Sequence, residues 1–227
     1  MKKHLLTTFA VLALSTVIFN GCKDDEDTTP PVITLLGNNP FALTLNSTYS
    51  EPGYKAEDDQ DGDVTGLVVV DKTEINKDKT GSYEVHYEVT DAAGNFTDFH
   101  RTVNVSNSLT SSPWTGNYSC VITEIGQPNY TYSESLAISS TVNNGFEWSK
   151  FGDYSNATAK LNISIDGSGN VSVPTQSFTC GTPAVLRQFS GSGTSSGAGA
   201  AGSIITLQIT ETVNAVTKSF VYTYTKQ

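Results

Sequence analysis

Residues 81–105 read GSYEVHYEVTDAAGNFTDFHRTVNV and carry the clearest structural pattern of the sequence, a strand, a tight connection and a returning strand. Apolar and polar side chains alternate from Tyr83 to Thr90, so one face of this strand lies in a core and the other meets water. Gly94 suits the left-handed position of a short hairpin loop. The pattern predicts an antiparallel hairpin whose second strand runs from Phe96 to Val105.

The rest of the chain has the same β character. Of its 227 residues, 16% are charged and 37% are hydrophobic, and short runs of β-branched residues are separated by Gly, Asn, Ser and Thr. This composition favours an all-β protein and disfavours a helix bundle or a doubly wound α/β enzyme. The roughly 200 residues after the apolar N-terminal segment are enough for one large or two small domains.

Residues 1–21 are typical of a secretory signal peptide. Lys2 and Lys3 precede the apolar run Leu5–Phe19, which is too short for an ordinary membrane span. Gly21 directly before Cys22 resembles the lipobox of bacterial lipoproteins. The resemblance implies cleavage before Cys22, lipidation of its thiol and anchoring to a membrane. The alternative is an ordinary secreted protein in which Cys22 is incidental.

Residues 22–29 form an acidic tether that cannot pack into a core, because Lys23 is followed by Asp24, Asp25, Glu26 and Asp27. An acidic run at this place resembles the surface-export signal of Bacteroidota lipoproteins. The resemblance implies a lipid-anchored protein on the outer face of the outer membrane. The alternative is a polar tether that faces the periplasm.

Charge is unevenly distributed along the chain. Residues 22–107 hold 17 acidic and 6 basic residues, whereas residues 108–227 hold 6 acidic and 5 basic residues. Phosphate recognition needs a basic stripe, and neither half supplies one, so nucleic acid is not expected as a partner. The nearly neutral second half suits an uncharged partner better.

Residues 30–106 carry several motifs in order around the hairpin. They are Pro52–Ala56, Asp61–Thr65, Gly81–Val85, Thr90–Asn95 and Arg101–Val103. The set resembles a bacterial immunoglobulin-like (Ig-like) module that is repeated in insecticidal crystal proteins and follows the anchor in many Bacteroidota surface lipoproteins. The resemblance implies a seven-stranded β-sandwich that serves as a spacer or adhesion unit, without catalysis.

The acidic loop of this module is the stretch most suited to a metal. Asp59, Asp61 and Asp63 stand at alternate positions and could present carboxylates to Ca²⁺. The loop is not an EF-hand, because Gly62 and Val70 do not stand where that motif needs a Gly and a Glu. Calcium is the one cofactor that the sequence suggests, and the alternative is a solvated turn.

Residues 113–227 form a second module after a short polar linker. Eight short candidate strands separated by Gly, Asn and Pro predict an antiparallel meander that closes into a small barrel. The opening Trp114–Tyr118, the hairpin that leads to Val173–Gln176 and the later Gly191–Thr194 resemble the lipocalin-like C-terminal domains of the same lipoproteins. The predicted fold is therefore all-β, with an N-terminal Ig-like β-sandwich followed by a lipocalin-like β-barrel.

Two cysteines and three aromatic residues are the candidate site residues of the second module. Cys120 and Cys180 are predicted to form a disulfide, since an exported protein lives where such bonds persist; the alternative is two buried thiols. Trp148, Phe151 and Tyr154 are candidates for stacking on sugar rings, and the alternative for each is a place in the core.

These features favour one function, leave one alternative open and argue against a third. The first is a non-catalytic surface lipoprotein that binds a glycan or another ligand as an accessory of a polysaccharide-uptake system. The alternative is a structural or adhesive spacer that binds other proteins in an outer-membrane assembly. An enzyme is not expected, because the few acidic residues of the second module lie in no recognisable active-site motif.

Overall fold

A computed structural model of the chain describes residues 26–154 and 160–227. The predicted signal peptide and the predicted lipidation site Cys22 lie outside the described residues. Within the described ranges the chain is built of β-strands and two short 3-10 helices. None of the described helices is long and apolar enough to cross a membrane. The prediction of an all-β protein is confirmed.

The first module is a two-layered sandwich of seven strands. They are β1 (Val32–Leu35), β2 (Phe41–Thr44), β3 (Tyr54–Asp58), β4 (Gly62–Asp63), β5 (Val69–Asp71), β6 (Gly81–Thr90) and β7 (Phe96–Ser106). One sheet has the order β1-β3-β4 and the other the order β2-β7-β6-β5. The β6–β7 hairpin forms as predicted, with Thr90 paired with Phe96 and with Gly94 at a φ of +97°. The seven strands confirm the Ig-like sandwich.

Alternation along β3, β6 and β7 builds the core between the two sheets. Ala56, Val85, Tyr87 and Val103 point inward and are fully buried, while their chain neighbours face water or the sheet edge. Arg101 lies among these residues, although it is charged. Its guanidinium is fully enclosed and donates to carbonyl groups of the neighbouring loops.

The second module is a closed antiparallel barrel with eight strands among its described residues. They are β8 (Gly116–Thr123), β9 (Tyr130–Ile138), β10 (Phe146–Trp148), β11 (Leu161–Ile165), β12 (Asn170–Cys180), β13 (Val185–Ser196), β14 (Ile204–Val213) and β15 (Val216–Lys226). Each strand pairs with its neighbours in sequence, and β15 pairs with β8 to close the ring. Closure leaves no exposed sheet edge, which confirms the predicted barrel.

The barrel interior is filled by large side chains and does not form an open channel. Tyr118, Trp148, Leu161, Phe189 and Tyr224 point into it and are buried. The ring of Trp148 stacks on that of Tyr224, with 4.0 Å between centroids. A barrel of eight strands has an interior just wide enough for such side chains, so a ligand has to bind at an end or on the outer wall.

The predicted linker between the modules is tied down at its first residue. Asn107 is buried, and its Nδ2 donates to the carbonyl oxygens of Ser139 and Val142 in the β9–β10 connection. From the sandwich, Asn46 Oδ1 accepts a bond from the backbone N–H of Asn143 at 2.9 Å. These bonds fix the two modules to each other, so the segment does not act as a free tether.

Candidate functional site

Two of the three aromatic residues predicted to bind sugar lie inside the barrel. Trp148 is 0% exposed and Phe151 is 1% exposed, and Phe151 packs against Phe189 and Tyr222. Neither ring can stack on a sugar that approaches from outside, so this part of the prediction is wrong. Tyr154 is half-buried, and it is the only one of the three with a surface that a ligand can reach.

The accessible position of Tyr154 lies at one end of the barrel, which we call the barrel mouth. It is the end where β8, β12 and β14 finish and β9, β13 and β15 begin. Five inward-pointing or rim residues define it, namely Tyr154, Arg187, Glu211, Lys218 and Phe220. The opposite end carries the β9–β10 connection and its bonds to Asn46 and Asn107. The barrel mouth therefore faces away from the Ig-like module.

An ion pair joins the adjacent strands β13 and β14 at the barrel mouth, and an aromatic ring lies beside it. Arg187 Nη1 contacts Glu211 Oε1, and Arg187 Nε donates to the carbonyl oxygen of Cys180 at 3.1 Å. The Tyr154 hydroxyl donates to the same Glu211 oxygen at 3.0 Å. The guanidinium carbon of Arg187 lies 5.1 Å from the centroid of the Tyr154 ring, within range of a cation–π interaction.

A cavity of about 220 Å³ opens between β13, β14 and β15 at this end. Its walls combine charged and apolar side chains, namely Arg187, Glu211, Lys218, Val213, Val216 and Phe220. Burial alone would lower the pKa of Arg187, but the hydrogen bond to Glu211 and the electrostatic attraction of the neighbouring acidic groups together outweigh burial and raise that pKa. The cavity therefore offers a permanent cation, a carboxylate and an apolar wall within one small volume.

A second polar cluster lies deeper in the barrel, under the plug segment, which comprises residues 149–154. Tyr132 donates to Glu134 Oε1 at 2.7 Å, and the backbone N–H of Lys150 donates to Glu134 Oε2 at 3.1 Å. The backbone N–H of Gly152 donates to the Tyr132 hydroxyl at 3.0 Å. Burial raises the pKa of Glu134 from 4.5 to about 7. The plug segment is thus held onto the barrel by a carboxyl group that titrates near neutral pH.

The protein is expected to lose stability as the pH rises from 4.5 to 7, because unfolding frees Glu134 to ionise at its ordinary pKa. In the unfolded chain Glu134 ionises above pH 4.5, whereas in the folded protein it stays protonated up to about pH 7. The contribution of Glu134 to the free energy of unfolding is therefore complete below pH 4.5 and is lost as the pH rises past 7. The difference between the two pKa values corresponds to about 3 kcal/mol. Urea denaturation of Glu134→Gln should show a flatter pH profile. The exposed Glu88→Gln is the control, and a profile for Glu134→Gln as steep as that of the control would contradict the assignment.

The predicted disulfide is absent, since Cys120 and Cys180 are both free, buried thiols. Cys120 lies in the middle of β8, paired in register with Tyr132 on one side and with Tyr224 on the other. Cys180 ends β12 at the barrel mouth, where its carbonyl oxygen accepts the bond from Arg187. Burial raises the pKa of Cys120 to about 12, and burial also raises the pKa of Cys180. Both are protonated thiols that fill the core, as the alternative prediction had it.

The predicted calcium ligands Asp59, Asp61 and Asp63 do not come together. All three are exposed. Asp61 Oδ2 accepts the backbone N–H of Ala92 at 2.7 Å, and Asp63 Oδ1 accepts that of Thr65 at 2.9 Å. Side chains at alternate positions of a turn that reverses direction point to different partners. The prediction of a site made from these three carboxylates is wrong.

The ion pair of the barrel mouth was missed in the sequence, although a signal for it exists. Arg187 stands two residues before the inward-facing Phe189, and Glu211 stands two residues after the inward-facing Ile209. Two opposite charges thus occupy inward positions of adjacent strands. Strand alternation predicts that such charges pair inside the barrel or at its rim.

Comparisons with known proteins agree with the first module. Residues 33–105 match the family described as bacterial surface protein, Ig-like domain. No curated protein matches the chain. The chain therefore carries an Ig-like domain of the type found in bacterial surface proteins, while the lipocalin-like identity of the barrel stays a prediction.

Solved structures show distant similarity across both modules. The lipoprotein BT2262 from Bacteroides thetaiotaomicron is 20% identical with a TM-score of 0.34, over 86% of this chain and 100% of that chain. CBM51-2 in complex with GlcNAc and INT domains from Clostridium perfringens ZmpB is 15% identical with a TM-score of 0.28, over 86% and 43% of the two chains. The same Clostridium perfringens domains in a second structure are 12% identical with a TM-score of 0.26, over 85% and 44%. Similarity at this level says nothing about the ligand of this chain.

Proposed function

We propose that the chain is a non-catalytic, lipid-anchored protein of the outer-membrane surface that binds a glycan through its barrel mouth, as an accessory of a polysaccharide-uptake system. The observation that carries the proposal is the cavity of about 220 Å³ at the end of a barrel whose described residues fill its interior. The match of residues 33–105 to a surface-protein domain supports the location. In this account the Ig-like module holds the barrel away from the membrane.

The chemistry of the barrel mouth suits a sugar ring. A sugar presents hydroxyl groups around its edge and C–H groups on its faces. Arg187 supplies donors and Glu211 supplies acceptors for the hydroxyl groups, while Phe220 in the cavity wall and the ring of Tyr154 beside Arg187 supply apolar surface. Sites that combine an apolar wall with a few placed polar groups are typical of small-ligand recognition.

Binding without catalysis is favoured by the state of the carboxylates. Glycoside hydrolysis needs two carboxyl groups on opposite sides of the scissile bond. Glu211 already accepts bonds from Arg187 and Tyr154. Glu134 is buried and bonded to the backbone of the plug segment. The other carboxylates at this end of the barrel, Glu124 and Asp153, are paired with Lys218 and Lys150, so none of these carboxylates is left unpaired to act as a second catalytic group.

Tyr154→Ala is expected to weaken glycan binding by the whole chain at least about tenfold, because it removes the ring that a sugar would contact. The measurement is a glycan array, followed by titration calorimetry with the strongest glycan. Phe99→Ala is the matched control, since Phe99 is an exposed aromatic residue of the Ig-like module. An array without signal, or equal losses in both variants, would contradict the proposal.

Cys22→Ser is expected to move the protein from the membrane fraction to the soluble fraction, because the variant has no thiol to acylate. Mass spectrometry of the natural protein should find acyl chains on Cys22 at the mature N-terminus. Protease treatment of intact cells should remove the protein if it faces outward. An unacylated N-terminus would contradict the anchoring part of the proposal.

A structural or adhesive spacer is the second candidate, and the junction between the modules favours it. The bonds of Asn46 and Asn107 to the β9–β10 connection make a fixed joint, which a rigid spacer needs. Ile125, which is 99% exposed beside the barrel mouth, is the kind of apolar residue that a protein partner covers. Two results together would favour the spacer function. The first is a glycan array without signal, and the second is an outer-membrane protein cross-linked to the chain at position Ile125.

A further inference from the structure

Three aspartates from distant parts of the sequence meet at one end of the Ig-like sandwich. Asp27 lies in the acidic tether, Asp58 ends β3, and Asp91 begins the loop between β6 and β7. One carboxylate oxygen from each lies within 4.8 Å of the other two. The geometry points to a Ca²⁺ site formed by Asp27, Asp58 and Asp91, which is separate from the barrel mouth and does not depend on the proposed function.

The second observation is an oxygen that has no partner. Asp58 is 8% exposed, and its Oδ1 accepts the backbone N–H groups of Gln60 and Asp61, both at 2.9 Å. Its Oδ2 is buried and accepts no hydrogen bond. A buried carboxylate oxygen without a donor costs free energy unless a cation meets it. Asp58 Oδ2 is therefore the oxygen available to an ion.

Hydrogen bonds hold the other two carboxylates in place. Asp91 is 7% exposed; its Oδ1 accepts the N–H groups of Gly94 and Asn95, and its Oδ2 accepts Asn95 Nδ2 at 2.8 Å. Asn95 Nδ2 also donates to the carbonyl oxygen of Asp27 at 3.2 Å. Asp27 Oδ1 accepts the N–H of Thr29 at 3.0 Å. The loops therefore fix all three side chains, so the cluster is preorganised.

No protein cation balances this cluster within the described residues. None of their ion pairs involves Asp27, Asp58 or Asp91. Three carboxylates this close repel one another, most strongly where two of them are buried. A bound divalent cation would reverse the sign of that interaction.

The ligand set favours Ca²⁺ over Mg²⁺, because Mg²⁺ is usually bound by one or two carboxylates and this cluster offers three. Three oxygens within 4.8 Å of one another can all reach one Ca²⁺ ion, since each Ca–O bond is about 2.4 Å long. Mg²⁺ holds its ligands closer and keeps most of its water. Three carboxylates leave room for water to complete the coordination of Ca²⁺. Because Asp27 belongs to the tether, the ion would also clamp the tether to the sandwich and fix where the anchor leaves the module.

Calorimetry on the whole chain tests this site. After chelation, 1 mM Ca²⁺ should raise the melting temperature of the sandwich by about 5 °C or more, and titration should find one ion per chain. Asp58→Asn should lower the Ca²⁺ affinity at least about tenfold, yet melt no lower than the wild type in chelator, because it removes repulsion. Because Asp27 lies outside the strands, Asp27→Asn should lower the Ca²⁺ affinity without affecting folding. Asp59→Asn is the matched control and should bind like the wild type.

Several results would overturn the site. An unchanged melting temperature of the wild type in Ca²⁺ would do so, as would equal losses of affinity in Asp58→Asn and Asp59→Asn. A shift in Mg²⁺ as large as that in Ca²⁺ would overturn the choice of ion.

Discussion

Arg101→Met is expected to lower the free energy of unfolding of the Ig-like sandwich by about 4 kcal/mol. Methionine has a similar length but donates no hydrogen bond, so the acceptors around the side chain are left unpaired inside the module. The guanidinium of Arg101 donates to five groups, which are the hydroxyl of Tyr87, the carboxylate of Glu51 and the carbonyl oxygens of Leu36, Asn38 and Gly53.

The two tryptophans make this prediction specific to one module. Trp114 and Trp148 both belong to the barrel module, so tryptophan fluorescence follows the barrel while circular dichroism follows both modules. Arg101→Met should make part of the circular dichroism signal unfold at a lower denaturant concentration. The denaturant concentration of the fluorescence transition should stay nearly unchanged. Lys55→Met, at an exposed position of β3, is the control and should change stability by less than about 0.5 kcal/mol. Equal effects of the two substitutions would contradict the role of Arg101.

Trp148→Ala is expected to lower the free energy of unfolding of the barrel by about 4 kcal/mol, because it leaves a large cavity in a filled interior. The indole stacks on Tyr224 and meets the edge of Tyr118, with 5.1 Å between the centroids of Trp148 and Tyr118. Its Nε1 is buried and has no hydrogen-bond partner. Trp148→Phe removes that unpaired donor while keeping a ring, so it should cost clearly less than Trp148→Ala.

The fluorescence of the remaining Trp114 reports the unfolding of the Trp148→Ala barrel. Val221→Ala, on the outer wall of β15, is the control and should cost less than about 1 kcal/mol. If Trp148→Ala cost no more than Val221→Ala, the indole would not be the packing centre of the barrel.

Strand alternation and turn residues predicted the fold because both act locally. The alternation from Tyr83 to Thr90 places Val85, Tyr87 and Val89 in the core, and Gly94 takes the left-handed conformation that the loop requires. The same alternation would have placed Asp58 on the inner face of β3, since Ala56 is buried there. The prediction made from the alternate acidic residues of the loop leaves Asp58 out, because Asp58 belongs to the strand before them.

The site residues depended on contacts that sequence separation does not reveal. The spacing of Cys120 and Cys180 gives the size of a loop but not the distance between two thiols, and they lie on strands with different neighbours. Trp148 ends the short strand β10 and Phe151 lies just after it, and aromatic residues at the end of a short strand suit a surface loop as well as a barrel core. Asp27 and Asp91 meet only because the tether returns along the β6–β7 loop.

Mapping the bound ligand tests whether the barrel mouth is the binding surface. The measurement is the amide NMR spectrum of the whole chain, titrated with a panel of soluble polysaccharides. The signals of the barrel mouth are expected to shift together, namely those of Tyr154, Arg187, Glu211 and Lys218, while the signals of the Ig-like sandwich stay in place. A titration without shifts, or one with shifts confined to residues 30–106, would contradict this expectation.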